Sequence, residues 1–105
     1  MIDIFMFCDV RRYELSVRGT MRGDAATPLV AAIELLPDEA VATIDLRELD
    51  ELDVPAVRLL RSAVEGREAC GVDITIEVDG ANAITALEVG GLARLVPVMA
   101  MPHAS

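Results

Sequence analysis

The opening stretch of the chain constrains its fold most. Ile2, Ile4, Met6 and Cys8 alternate with Asp3, Phe5, Phe7 and Asp9, the period-two pattern of a strand. Bulky residues fall on both of its faces, so partial cover on both is expected. Arg11 and Arg12 interrupt the pattern, and it resumes from Tyr13 to Arg18. Tyr13, Leu15 and Val17 then share one face, with Glu14, Ser16 and Arg18 on the other. Two strands joined by so short a link form an antiparallel hairpin.

Beyond the hairpin the period changes repeatedly. Gly19 to Asp24 reads as a loop, with Asp24 as the N-cap of a helix. That helix carries Leu29, Ala32, Ile33 and Leu36 at helical spacing, has Pro28 in its first turn and stops at Pro37. Val41 to Leu46 is a short, nearly continuous apolar strand, expected in the middle of a sheet covered on both faces. The acidic run Glu48 to Asp53 reads as a tight connection. Asp53 then caps a helix from Val54 to about Ala69, where Pro55 is tolerated because the first helical N–H groups have no intrahelical acceptor. Ala56, Val57, Leu60, Ala63 and Val64 form its buried stripe, while Arg58, Arg61, Glu65 and Glu68 face water.

Asp73 to Val78 alternates again as a strand. Ala81 to Gly90 is a third helix, with Ala83, Ile84 and Leu87 inward and Gly90-Gly91 as its stop. Leu95 to Met99 is a candidate last strand, restricted by Pro97 to an edge. The order predicts an α/β fold: one domain over residues 1–105, with a mixed four- to five-stranded sheet, an N-terminal antiparallel hairpin and three helices.

Composition narrows the functions. Every basic residue is an arginine, and the formal net charge of −9 disfavours nucleic acid and anionic membrane surfaces while suiting a basic protein partner. No apolar run reaches the roughly 18 residues that span a bilayer, so direct membrane insertion is not expected. Cys8 and Cys70 lack metal or redox spacing and are expected to pack as small buried hydrophobes in the reducing cytoplasm. No catalytic, metal or cofactor site is expected. The single histidine, His103, stands in the tail, and neither phosphate-loop motif occurs. Asp50, Glu51 and Asp53 are read as a cap and its solvated neighbours. What remains is the edge beyond the carboxyl ends of the parallel strands, where Val54 and Pro55 form a small apolar patch beside Arg58.

From Tyr13 to Val98 the chain resembles the STAS domain of anti-sigma factor antagonists and sulphate transporter tails. The resemblance rests on Leu15-Ser16-Val17-Arg18-Gly19, Val41 to Leu46, Leu49, Leu52-Asp53, Leu59-Leu60, Val72 to Val78 and Gly91 to Leu95. It implies a non-enzymatic protein-binding module. In antagonists of this family the aspartate matching Asp53 is followed by Ser, then Ser or Thr, then Gly, and a kinase phosphorylates the second hydroxyl. Here those positions are Val54, Pro55 and Ala56, so Pro55 stands where the acceptor should be and no phosphorylation is expected there. The usual Gly-x-Leu-Asp entry reads Gly19-Thr20-Met21-Arg22, with Asp24 as a substitute acid. The resemblance thus implies a contact surface of Arg22, Asp24, Asp53, Val54, Pro55, Ala56 and Arg58. The implied partner is an anti-sigma factor kinase of the GHKL ATPase type. The alternative is an ABC ATPase, with the chain as a small accessory subunit of a lipid transporter. The closing helix of many members is not evident, which leaves a strip for a partner or a second copy to cover, so a homodimer is also considered.

Overall fold

The computed structural model describes residues 1–97. Strand β1 (Ile2–Asp9) turns through Val10 and Arg11 into β2 (Arg12–Met21), and the two pair antiparallel without a register break. A 3-10 turn over Gly23–Ala26 leads into α1 (Thr27–Glu34). Then follow β3 (Val41–Leu52), α2 (Val54–Glu68), β4 (Asp73–Glu77), α3 (Ala81–Gly90) and a 3-10 turn over Ala93–Leu95. The sheet order is β1-β2-β3-β4, with β2, β3 and β4 mutually parallel.

Sheet register explains the core. Leu15, Ile44 and Ile76 lie side by side across β2, β3 and β4, and all three are buried. Their neighbours Glu14, Thr43 and Thr75 share the opposite face and are not. The helices lie in a row, α1 on α2 and α2 on α3, on the apolar side. For α1 and α2 that is what two successive crossovers of one hand, moving the same way along the sheet, require. Among the described residues no polar or charged side chain is fully buried, so the core is held by aliphatic packing. At the α2–α3 contact, a Cβ on Gly90 would come within 2.2 Å of Val57 Cγ1. Gly91 then ends α3 in the left-handed region at φ 88°, a conformation only glycine adopts at no steric cost.

Several expectations are corrected. Among the described residues the sheet has helices on one face only, so the middle strand alternates instead of being covered on both sides, and β1 is mostly exposed. Strand β2 runs on through Gly19 to Met21, which were read as loop. Cys8 and Cys70 are exposed, one at the sheet edge and one in the turn after α2, because no described element lies above either place. Asp24 lies inside the 3-10 turn and makes no capping hydrogen bond. The candidate last strand is not formed at its start: Ala93–Leu95 is a 3-10 turn, and Val96 and Pro97 are irregular. Val98 and Met99, like His103, lie outside the described residues.

Candidate functional site

The largest departure from the expected fold builds the site. Strand β3 does not stop at Leu46 but continues for six residues through the acidic run to Leu52. It does so with two register shifts against β2. Ser16 pairs with Asp45 but Arg18 with Glu48, and Gly19 pairs with Leu49 but Thr20 with Glu51. Each shift inserts one extra residue on β3, the signature of a β-bulge. Asp45 holds the first bulge: its carboxylate accepts the Arg47 backbone N–H and two guanidinium N–H groups, each at 3.0 Å. Arg47 in turn holds the Asp45 carboxyl below the usual carboxylate range. Past the bulge, Arg18 and Glu48 form an ion pair across the two strands.

The bulges change which residues face inward. In an unbroken strand, Leu46, Leu49 and Leu52 would alternate between faces. With one extra residue in each interval, all three meet the helix side, Leu46 buried and Leu49 and Leu52 packed partly against the core. A groove of about 570 Å³ opens between this extension and the turn from β4 into α3. Its floor is Leu46, Leu49, Leu52 and Ala83, and Asp50, Glu51, Asp53 and Asp79 stand round it.

Asp53 joins the groove to the start of α2. Its backbone is extended (φ −106°, ψ 166°), as an N-cap requires, and one carboxylate oxygen accepts the Ala56 N–H at 2.9 Å. The same oxygen accepts the Gly23 N–H at 3.0 Å. One side chain therefore secures both the first turn of α2 and the entry to the 3-10 turn. These two backbone donors, with Arg22 nearby, hold the Asp53 carboxyl below its ordinary pKa. Arg22 forms an ion pair with Glu51 at the rim.

The expected contact residues are thereby sorted. Arg22, Asp24, Pro55 and Arg58 are exposed, while Asp53 and Val54 are half-buried. Ala56 is fully buried beneath the first turn of α2 and offers a partner nothing. The stretch Asp79 to Ala83 and the two leucines of the β3 extension were not among the expected residues. The leucine spacing of three, within an acidic run, was the available signal. Neither strand nor helix alternation fits that run without a bulge, so by pattern alone it resembles a connection. Among the described residues no group of three or more His, Cys, Asp or Glu side chains could hold a metal ion, and no helix is long and apolar enough to cross a membrane.

Solved structures share this arrangement of elements. SpoIIAA, an anti-sigma factor antagonist in its unphosphorylated form, superposes with a TM-score of 0.73 at 13% identity, over 90% of this chain and 86% of that one. The fold is that of a STAS domain. An anti-sigma factor antagonist from Mycobacterium paratuberculosis is similar over 92% of this chain and 84% of its own, with a TM-score of 0.72 at 19% identity. A STAS domain from Rhodobacter sphaeroides, an antisigma-factor antagonist, is similar over 71% of this chain and 84% of its own, with a TM-score of 0.58 at 19% identity. No family model matches the chain, and no curated protein matches it in sequence. Identities this low carry the STAS fold alone, so residue roles rest on the geometry above.

Proposed function

We propose that this STAS domain is a cytoplasmic, non-enzymatic binding module that regulates a protein partner by direct contact. Its contact surface is Arg22, Asp24, Asp53, Val54, Pro55 and Arg58 at the start of α2, extended into the neighbouring groove. The observation that carries the reading is the groove itself. An apolar floor of Leu49 and Leu52 with four carboxylates around it suits a basic, partly apolar segment of another protein. The likeness to anti-sigma factor antagonists makes an anti-sigma factor kinase the partner of choice. An exposed proline at position 55 offers no hydroxyl, so binding would not be switched off there.

Calorimetric titration with a GHKL-type anti-sigma factor from the same genome tests this. Val54→Asp is expected to weaken binding by ~1–3 kcal/mol, because a new charge must be desolvated at the contact, while far-UV circular dichroism stays unchanged. Incubation with ATP leaves the binding of the native chain unaltered, whereas Pro55→Ser gains a phosphate. Equal affinities for the native chain and both Val54→Asp and Leu49→Glu would move the contact elsewhere and sink the reading.

A further inference from the structure

The sheet has an unprotected edge. Met1 and Thr20 exchange both backbone hydrogen bonds, each at 3.2 Å. In an antiparallel ladder such pairs alternate, and the register from Ile2 to Asp9 is unbroken. Asp3, Phe5, Phe7 and Asp9 therefore spend their backbone groups on β2. The N–H and C=O groups of Ile2, Ile4, Met6 and Cys8 point outward, and among the described residues no strand lies beyond them. Edge strands are usually guarded by charge, proline, a bulge or shortness. This one is eight residues long, with charge only at Asp3 and Asp9. Phe5, Met6 and Phe7 in its middle are 46%, 46% and 67% exposed.

Charge tells which occupant suits it. In residues 1–21 three acids (Asp3, Asp9, Glu14) cancel three arginines (Arg11, Arg12, Arg18). The formal charge of −9 therefore resides entirely in residues 22–105. A basic partner is drawn to that remainder. Two copies of this chain repel each other through most of that remainder and meet without like-charge cost at the hairpin, whose outward backbone groups also suit a second strand.

We propose that β1 pairs antiparallel with β1 of a second copy, joining two four-stranded sheets into one of eight strands. With Phe7 on the two-fold axis, Met6 exchanges hydrogen bonds with the partner's Cys8, the two Phe7 rings meet, and Asp3 lies beside the partner's Arg11. A register centred on Met6 would instead set Asp3 against the partner's Asp9, a like-charge pair that disfavours it. This surface is separate from the α2 corner, so the dimer stands or falls independently of the proposed function. One strand pair makes a small interface, so dissociation at about micromolar concentrations is expected, as for interfaces below ~1,200 Å².

Sedimentation of the full chain across concentrations is the test. The mass should rise from 11.2 kDa towards twice that value, and the association should strengthen as added NaCl screens the repulsion between acidic bodies. Met6→Pro removes only an outward N–H and should leave a folded monomer, and Met6→Lys should do the same if proline disturbs the strand. Hydrogen exchange adds a residue-level readout: the amides of Ile2, Ile4, Met6 and Cys8 become protected only where dimer forms. A chain that stays monomeric throughout, or dimerises equally with Met6→Pro and Met6→Lys, overturns the proposal. So does protection of these amides in the monomer, which would put another segment of this same chain on the edge.

Discussion

The start of α2 and the outer edge of β1 are both at the surface, yet they are finished in opposite ways. At the corner, Asp53 satisfies two backbone donors at once, Arg22 neutralises Glu51 at the rim, and Val57 packs behind against Gly90. At the edge, four residues keep backbone groups that no described residue pairs, between exposed Phe and Met side chains. The hairpin turn there holds Val10 at φ 57°, where a β-branched residue is strained. The corner is thus fixed by side-chain hydrogen bonds, whereas the edge presents its backbone. Under the two proposals, a partner at the corner would be recognised through charge and shape, and one at the edge through strand pairing.

Three changes test that contrast. Asp53→Ala has the largest expected effect, about 2 kcal/mol of lost stability in urea denaturation, since it removes an N-cap and leaves a second donor without its acceptor. A loss below half of that would mean water replaces the carboxylate easily and the corner is not preorganised. A smaller effect follows from acid. The Asp53 carboxyl is held below its unfolded pKa, so its contribution is full above the ordinary aspartate value near ~3.9 and disappears as pH falls through the depressed folded value. Asp53→Asn should therefore lower stability at neutral pH and flatten its decline below pH ~4. Asp45 and Glu68, also depressed by their arginines, keep part of that decline in the variant. An unchanged acid profile would remove Asp53 from the account. The smallest change is at the edge and has the opposite sign. Val10→Gly should stabilise the chain by up to ~1 kcal/mol, relief of the left-handed valine being partly offset by glycine's unfolded-state entropy. A destabilising result would show that Val10 packs against something beyond the hairpin.

The fold was largely legible because its signals are local. The hairpin followed from two alternating runs and a short link, α2 from Asp53, Pro55 and the Val57-Leu60-Val64 stripe, and the end of α3 from Gly90-Gly91. The candidate site was legible only in part. Asp53 and the exposure of Pro55 were expected, and the helical stripe already turned Ala56 inward, but the resemblance also placed Ala56 on the contact surface, where its buried methyl group has no part. The groove was missed because the strand extension that forms it has no alternation to detect.

What the sequence determined by itself is the order of elements, the apolar faces and the proline, without a hydroxyl, at position 55, since each is read from the residues of one turn or one strand. Tertiary structure alone decided that Leu46, Leu49 and Leu52 share a face, that one Asp53 oxygen serves two segments, and that no strand among the described residues covers the β1 edge. Those outcomes depend on which strand lies beside which and in what register. Register is set by pairing between residues distant in sequence, and a single bulge reverses the face of every residue beyond it.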